Sequence, residues 1–359
     1  MPMEFHIDFN WQIQSNNENW PVDPLLLNLL SAIDKHGSLQ SAARDNDVSY
    51  RHAWGLMEKW RERFQLPLIE KHRGRGTRLA PAGQHLLQAH QHLQARLLPQ
   101  LSNQATQLRQ QIQQLRTAQT PARLKVFASH GLAVSALRDE LNQQQIAVDL
   151  HFHGSLESLL ALQQQQCDIA GFHIPTGPLG KQLAPDYLSL IDPETTQLCY
   201  LVKRQQGIMI ANGNPLYIQK MTDLTRPDVR FINRQRGSGT RLLLDQMLLS
   251  EQLNGSDIQG YNQEEFTHMA VAAMVASGVA DCGFGIAAVA AKFNLDFLPL
   301  CEEHYCLAIP KSYLEDPRIQ SILAFLKSDD WHTSQADVPG YDVSQSGQFV
   351  SFADTFEGR

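Results

Sequence analysis

The sequence predicts a multidomain protein with an N-terminal winged helix-turn-helix, a long linker helix and a C-terminal two-lobed α/β domain. Its 359 residues, 43% of them hydrophobic, exceed the ~250 to 300 residues at which one hydrophobic core stops growing. Residues 24–80 contain three helical segments with start signals and then two short strands. Residues 81–120 form a helical stretch without acidic residues, and beyond it strands and helices alternate, which is typical of an α/β domain.

The N-terminal domain, which we place at residues 1–80, contains three predicted helices. The first covers Pro24–His36, and Ser38 caps a short second helix. After a tight turn, Ser49 caps the third helix, Tyr50–Phe64, whose apolar residues recur at helical spacing. A short helix, a tight turn and a longer capped helix predict a helix-turn-helix, a motif that places its last helix in the major groove of DNA.

Two short strands, Leu68–Glu70 and Thr77–Leu79, follow the third helix and are joined by the basic segment Lys71–Gly76. Such a hairpin is typical of a wing that lies along a phosphate backbone or enters a minor groove. Near the start of the chain, apolar and polar residues alternate from Phe5 to Ile13, which predicts a further strand.

Charge is unevenly distributed along the chain. Residues 49–80 hold eight Lys/Arg and three Asp/Glu, a net +5, although the whole chain carries −7. A local basic patch on an acidic protein indicates a polyanion partner, which we expect to be double-stranded operator DNA. The residues predicted to contact DNA are Ser49, Tyr50, Arg51, His52, Lys59, Arg73, Arg75 and Arg78. Trp54 and Trp60 are interpreted as core residues of the third helix.

The linker, residues 81–120, has leucine and isoleucine at helical spacing, which predicts one long helix bent at Pro99. A helix with an apolar stripe outside a compact domain usually buries that stripe against a partner, most simply a second copy of the chain. We therefore expect a homodimer or homotetramer formed through this helix. The alternative is that the helix packs against one of its own domains.

Residues 121–330 are predicted to form two lobes joined by strands near residues 200 and 305, with residues 331–359 as a C-terminal tail. In open parallel sheets, ligands bind beyond the carboxyl ends of the strands. The most informative junction is Phe231–Arg241, in which a strand leads through a glycine-containing loop into a helix. Glycine lets backbone N–H groups turn inward, and a helix N-terminus favours negative charge, so this loop predicts an anion site.

Polar residues follow several other predicted strands, and their convergence on one cleft favours a small oxyanion held by neutral donors and one or two cations. The predicted ligand-binding residues are Ser129, His130, Ser155, His173, Arg236, Ser238, Thr240, Arg241, Thr267 and His268. Taken singly, each Ser or Thr is also explained as a plain helix cap. His130, His173 and His268 form an alternative metal trio, but we assign no metal because nothing places the three imidazoles in one coordination sphere.

These motifs resemble known families. Val48–Met57, the wing and Leu79–Gln84 resemble the winged helix-turn-helix of ModE-type molybdate-responsive regulators and are similar to that of LysR-type regulators. The C-terminal part of the chain resembles the type II periplasmic-binding-protein-like domain associated with molybdate and related oxyanions. The segments that carry this resemblance are Ala128–Ala133, Gly154–Ala161, Asp168–His173, Asn233–Arg241 and Thr267–Gly278.

The resemblance implies a one-component transcription regulator without a cofactor, whose effector is molybdate or tungstate. The sensor departs from the ModE pattern, since a two-lobed domain replaces the small C-terminal oxyanion modules. The same architecture sensing sulfate or a small organic acid is the alternative.

Other classes of protein are disfavoured by what the chain lacks. No carboxylate pair, activated nucleophile or Cys–His spacing accompanies the glycine loop, which argues against the rival hypothesis of an enzyme acting on an anionic substrate. The five cysteines include no C-x-x-C pair, so we expect buried free thiols. Without an apolar run of about 18 residues or an export signal, the chain is expected to be cytoplasmic and to have no membrane partner.

Overall fold

The computed structural model describes residues 5–15, 18–72, 76–115 and 123–357. The chain divides into two compact units. One contains residues 7–95, and the other contains residues 96–359 with residues 1–6.

The first unit carries the predicted helix-turn-helix and wing. Its elements are β1 (Gln12–Ser15), β2 (Glu18–Pro21), α1 (Pro24–His36), α2 (Leu39–Asp45), α3 (Tyr50–Phe64), β3 (Ile69–His72) and β4 (Gly76–Leu79). The side chains of Ser38 and Ser49 accept hydrogen bonds from the backbone N–H groups of Ser41 and His52, which satisfies donors that each helix start leaves unpaired. The predicted helix starts and caps are therefore confirmed.

The core of this unit lies between the three helices and the wing strands. It includes the fully buried Leu26, Leu30, Ile33 and Trp60. Trp60 is a core residue as predicted, whereas Trp54 is only half-buried at the edge of the same cluster.

The strand predicted at Phe5–Ile13 is wrong in its extent. Pairing begins only at Gln12, and it joins Ile13 to Trp20 in an antiparallel hairpin. The alternation of residues 5–11 reflects a segment that packs one side against the protein. A strand also needs a neighbouring strand to pair with, and β2 provides one only for β1.

The predicted linker helix is present as α4, Pro81–Leu115, with Pro99 inside it. Residues 116–120, the end of the predicted linker, lie outside the described residues. Its segment from Arg96 onward belongs to the second unit.

The second unit is an α/β domain built around one ten-stranded sheet. Its elements are β5 (Leu124–Ala128), α5 (Leu132–Gln143), β6 (Val148–Phe152), α6 (Ser155–Gln163), β7 (Ile169–Pro175), α7 (Pro178–Leu188), β8 (Thr196–Ile210), β9 (Phe231–Arg234), α8 (Gly239–Ser250), β10 (Glu264–Glu265), α9 (His268–Ala276), β11 (Cys282–Ile286), α10 (Ala287–Lys292), β12 (Asp296–Pro310), α11 (Pro317–Leu326), α12 (Asp329–Ala336), β13 (Tyr341–Asp342), β14 (Phe349–Val350) and α13 (Phe352–Glu357).

The main path of the sheet has the strand order β10-β9-β11-β8-β12-β7-β5-β6. Strands β5, β6 and β7 run parallel to one another and form lobe one with α5 and α6. Strands β9, β10 and β11 are also parallel and form lobe two with α8, α9 and α10. The antiparallel strands β8 and β12, 15 residues each, connect the two lobes. This confirms the predicted two-lobed α/β domain with connecting strands near residues 200 and 305.

The lobes have separate hydrophobic cores. Lobe one buries Phe172 and Tyr187 behind its sheet, while lobe two buries Phe231 and Phe284. Because each lobe has its own core, polar side chains can line the space between the lobes. All five cysteines are free; four are buried, and Cys301 is partly exposed. In the described ranges, no helix has the length and apolar character needed to cross a membrane.

Candidate functional site

A cavity of about 410 Å³ lies between the two lobes, where several helices begin. Strands β5 and β6 lead into α5 and α6 from one side, and β9 and β10 lead into α8 and α9 from the other. Seven of the residues predicted to bind the ligand line this cavity: Ser129, His130, Ser155, His173, Arg236, Ser238 and Thr267. Helix N-termini facing one cavity provide backbone N–H donors and positive dipole ends, which suit an anion.

Two glycines allow the lobes to approach closely. A β-carbon on Gly239, the first residue of α8, would lie 2.7 Å from Nε2 of His173 in lobe one. Gly237, in the loop before it, adopts φ +82°, a left-handed conformation that L side chains rarely adopt. The sequence therefore needs glycine at both positions to place the N-terminus of α8 over the His173 ring.

The hydroxyl of Ser155 is occupied inside the protein. It accepts a hydrogen bond from the backbone N–H of His173 at 3.3 Å and lies 3.0 Å from Nδ1 of the same residue. Glu303 lies 4.0 Å from Nε2, which has no hydrogen-bond partner among the described residues. The hydrogen bonds between Ser155 and His173 thus fix the orientation of the His173 ring.

Ser129 is similarly engaged. Its hydroxyl donates to the hydroxyl of Tyr305 at 3.1 Å, and that phenol donates to the Ser129 carbonyl at 3.2 Å. Tyr305 is fully buried in β12, one of the strands that connect the lobes. Ser129 therefore links the end of β5 to the connecting strands as well as lining the cavity.

Ser238 and Thr267 are the N-cap residues of α8 and α9. Their side chains accept hydrogen bonds from the backbone N–H groups of Arg241 and Ala270. Capping uses the hydroxyl oxygen as an acceptor, and the Ser238 proton stays available for donation. A cap and an anion donor are therefore compatible roles at Ser238.

Three predicted ligand residues do not line the cavity. Arg241 forms ion pairs with Asp245 at 2.9 Å and Glu264 at 3.3 Å, and its guanidinium lies over the Tyr261 ring. Thr240 and His268 are buried behind the wall, with Thr240 Oγ1 3.5 Å from His268 Nε2. The structure thus places Arg241 in a cluster with acids, and Thr240 with His268 supports the wall from behind.

Arg236 lines the cavity but is mostly exposed. Its side chain is 75% exposed and lies 3.4 Å from Glu264. An exposed arginine already paired with a carboxylate adds little to the field inside the cavity.

Arg234, which the sequence reasoning did not single out, is the buried cation of the cleft. It is the last residue of β9, lines the cavity and is only 7% exposed. Its side chain donates to the Phe266 carbonyl at 2.9 Å and to Gln235, and no described carboxylate forms an ion pair with it. A charged residue at the end of a fully buried strand, directly before the glycine-containing loop, is the sequence signal that could have identified it.

Burial and the neighbouring Arg204 lower the pKa of Arg234 to about 9. An arginine gives up its proton this readily only where water and countercharge are both scarce. A bound anion would relieve this strain directly.

Beneath the cavity, Arg204 of β8 and Glu303 of β12 form a fully buried ion pair. Gln206 also donates to Glu303 at 2.6 Å. Burial raises the pKa of Glu303, but the pair with Arg204, the nearby His173 and these hydrogen bonds outweigh it and leave the pKa lowered. Glu303 is therefore ionised and forms its ion pair with Arg204, which leaves Arg234 as the buried arginine of the cleft without an ion-pair partner among the described residues.

The three histidines near the cleft are neutral at pH 7. Burial, with smaller contributions from nearby arginines, lowers the pKa values of His130 and His173 to about 4 and that of His268 well below its usual range. Neutral rings can donate one N–H to an anion without adding charge. In the described residues, no cluster of three or more His, Cys, Asp or Glu side chains is arranged to hold a metal ion.

The recognition surface of the first unit is exposed. Ser49, Tyr50, Arg51, His52, Lys59 and Arg78 are all exposed side chains on α3 or β4. Arg73 and Arg75, also predicted to contact DNA, lie outside the described residues. Lys71 of β3, which was not among the predicted contacts, lies with Nζ 3.7 Å from the centre of the Trp54 ring and 5.7 Å from that of Tyr50. This cation–π contact joins the wing to α3.

Two family models match the chain. Residues 138–327, more than half of it, match the PBP superfamily domain. Residues 25–84 match the bacterial regulatory helix-turn-helix protein, lysR family. Each match lies within one of the two units described above.

Two curated relatives are similar in sequence. The uncharacterized protein YvgK of Bacillus subtilis (strain 168) is 34% identical over 199 residues, which is 55% of this chain. This chain therefore spans 64% of the length of that relative. A Clostridium pasteurianum protein, described as an uncharacterized protein in the ferredoxin 2Fe-2S gene 5' region, is 32% identical over 111 residues, 31% of this chain and 98% of that protein.

The chain is also similar to solved structures, among them full-length BenM, at 14% identity and a TM-score of 0.42, over 88% of this chain and 97% of that one. CbnR, a LysR family transcriptional regulator, matches at 16% identity and a TM-score of 0.37, over 83% and 96% of the two chains.

Proposed function

This chain belongs to the PBP superfamily and carries a lysR-family helix-turn-helix, and we propose that it is a DNA-binding regulator whose effector is an oxyanion. LysR-type regulators pair such a DNA-binding domain with an effector-binding PBP-like domain and are not enzymes, in agreement with the prediction that this chain is not an enzyme. The chemical class of the effector is proposed from the residues of the cleft.

The observation that carries the oxyanion proposal is the buried cation Arg234. It lines the cleft, burial and Arg204 lower its pKa to about 9 despite the charge of Glu303, and no described carboxylate forms an ion pair with it. An uncompensated buried charge costs several kcal/mol, and a bound anion removes that cost. The helix N-termini of α6 and α8, with the Ser238 hydroxyl, add neutral donors around the same space.

We favour molybdate or tungstate as the oxyanion. The segments that form the lining, Gly154–Ala161 and Asn233–Arg241, carry the resemblance to the molybdate-associated domain. A dianion also suits a site with one strong buried cation and several N–H and O–H donors. Sulfate is also a dianion and differs from molybdate in size, whereas small organic acids differ in shape, in the number of donors that they engage and, for monocarboxylates, in charge.

On the DNA side, we propose that α3 enters the major groove of a double-stranded operator and that the wing contacts the backbone. The exposed Arg51, His52 and Lys59 are the side chains available for base edges and phosphates. A regulator of this kind acts where the DNA is, in the cytoplasm, as a homodimer or homotetramer. The partly exposed leucines of α4, Leu98 and Leu108, provide apolar surface for that association.

The proposal is tested by thermal unfolding of the full chain with molybdate, tungstate, sulfate, phosphate and small carboxylates at equal ionic strength. At about 100-fold excess over the dissociation constant, a ligand that binds only the folded state adds ~2.7 kcal/mol, a shift of several degrees in Tm. We expect molybdate and tungstate to give the largest shift. An equal shift with sulfate would refute the metal-oxyanion assignment, and a shift with none of these anions would refute the anion site itself.

A further inference from the structure

The second half of the linker helix forms part of the wall of the anion cleft. Arg96, Pro99, Gln100 and Asn103 of α4 line the same cavity as Arg234 and Ser238. These linker residues and both lobes belong to one compact unit. The linker helix is thus in position to contact the effector as well as to connect two domains.

Asn103 connects this helix to the wall of the cleft through two hydrogen bonds to the backbone of Phe152. Its side-chain amide donates to the Phe152 carbonyl at 3.0 Å, and its carbonyl oxygen accepts the Phe152 N–H at 2.7 Å. Phe152 is the last residue of β6, two residues before the N-cap of α6. Its ring also contacts the His130 imidazole edge-on, with centroids 4.8 Å apart. One side chain of α4 therefore positions two elements of the cavity wall.

A second anchor lies about two helical turns further along. Arg109 of α4 donates to Asp149 at 2.6 Å, and Gln110 donates to the same carboxylate at 2.9 Å. Arg109 and Asp149 are both buried, with side chains 8% and 4% exposed. A buried, multiply bonded ion pair holds one geometry, so this part of α4 moves together with β6.

Arg96 adds charge at the mouth of the cavity. It is an exposed side chain, and no described carboxylate forms an ion pair with it. Glu157, the acidic residue of the described lining, already contacts His153 and accepts from the backbone N–H of Gly154. Arg96 is therefore a cation that an anion entering the cleft can engage.

We propose that the linker helix is part of the effector site: Arg96 binds the anion directly, and Asn103 is a positioning residue that transmits occupancy of the cleft to α4. This inference rests on the proposed function, since it needs an anion between the lobes. The same helix begins at Pro81, directly after the wing strand β4, so a change in its conformation reaches the DNA-binding domain through continuous backbone.

The test is hydrogen–deuterium exchange on the full chain with and without sodium molybdate. We expect slower exchange at the N-termini of α6 and α8 and also within residues 99–110. Slower exchange at α6 and α8 alone would overturn this inference and leave the proposed function standing. Unchanged exchange throughout, with no Tm shift, would refute both.

Variants separate coupling from folding. At saturating molybdate, Asn103→Ala should still show slower exchange at α8, which lies in the other lobe, while the response of residues 99–110 is lost. Gln104→Ala, at the exposed neighbouring position, should behave as wild type. An Asn103→Ala protein whose helix still responds fully would show that Asn103 transmits nothing.

For Arg96, calorimetric titration with molybdate should show affinity about two- to fivefold lower in Arg96→Gln, the scale of one partly exposed charge contact. Lys125→Gln removes an exposed charge from β5 outside the cavity lining and should leave the affinity unchanged. Equal affinities for wild type and Arg96→Gln would exclude direct contact by Arg96.

Discussion

The cleft and the recognition helix both depend on positive charge, but they hold it differently. Arg234, which lines the cleft, and Arg204, beneath it, are almost completely buried, and each donates to a fixed partner, Phe266 or Glu303. On α3, Arg51 and Lys59 are exposed and retain their side-chain freedom. The difference shows that burial, and not residue type, decides what an arginine can recognise.

A buried cation destabilises the protein until an anion binds to it. It then binds that anion selectively, because its electric field is not screened by water and its position is fixed. Exposed cations cost nothing to keep in water, but salt screens them and they bind any phosphate backbone. The cleft is therefore suited to selecting one small anion, and α3 to associating with a long polyanion. Four predictions test this contrast.

The largest effect is expected at Arg234. Arg234→Met should weaken molybdate binding by roughly a hundredfold, because truncating one partner of a buried charge pair costs about 2 to 5 kcal/mol. Without ligand, the variant should be as stable as wild type or more so, since an uncompensated buried charge is removed. Calorimetric titration and thermal unfolding measure the two effects.

The matched control is Arg230→Met. Arg230 lies in the same lobe but pairs with Asp281 at the surface, with its side chain 47% exposed. It should leave anion affinity unchanged. If the Arg234 variant lost stability and kept its affinity, the cleft charge would be structural.

The next effect concerns His173, whose pKa burial lowers to about 4. Between pH 4 and 6.5 the unfolded chain binds a proton that the folded ring refuses, so stability is full above about 6.5 and falls as the pH drops towards 4. The loss attributable to this group reaches about 3 kcal/mol near pH 4.

Urea unfolding of the α/β domain at several pH values should therefore show a shallower pH dependence for His173→Gln than for wild type. His85→Gln, which changes an exposed histidine of α4, should retain the wild-type slope. Parallel slopes for wild type and His173→Gln would mean that the ring is not buried neutral.

A smaller effect is expected on the recognition surface. Arg51→Ala with Lys59→Ala should weaken binding to DNA from upstream of the protein's own coding region and should lower the slope of log K against log [salt] by roughly two. Arg226→Ala removes a surface charge from the other unit and should not change the slope. An unchanged slope in the double variant would place the phosphate contacts elsewhere.

The smallest effect is expected where a wing cation meets an aromatic ring. Lys71→Ala removes the ammonium over Trp54 and should cost about 0.5 to 1 kcal/mol in the unfolding free energy of the DNA-binding unit. Lys71→Arg keeps the cation over the ring and should recover most of that loss. Urea denaturation followed by tryptophan fluorescence measures both; equal losses in the two variants would argue against the cation–π contact.

Local signals were sufficient for most of the fold. The caps Ser38 and Ser49 and the proline start of α1 act within one helical turn, so the sequence predicted the helix starts of the first unit correctly. The alternation of strands and helices predicted the two lobes for the same reason. The strand at Phe5–Ile13 failed because its pairing partner, β2, is not encoded in its own alternation.

The site was predicted less completely. Strand-to-helix junctions identified most of the cavity lining, since polar residues at the ends of parallel strands share one edge. Two arginines seven residues apart show the limit of prediction from sequence. Arg241 pairs with Asp245 and Glu264, whereas Arg234 lines the cleft. Which neighbour an arginine meets depends on chain segments distant in sequence.

By itself, the sequence determined the order of the parts, the helix-turn-helix and the loop with glycines at positions 237 and 239, because each depends on backbone preferences and periodicity over a few residues. Only the tertiary structure decided which buried arginine lacks an ion-pair partner, which hydroxyl is bonded to His173 and that Asn103 of the linker helix is bonded to Phe152 at the cleft. Those outcomes depend on burial and on contacts between residues far apart in the chain, since a charge or a proton is available to a ligand only where no other part of the protein has taken it.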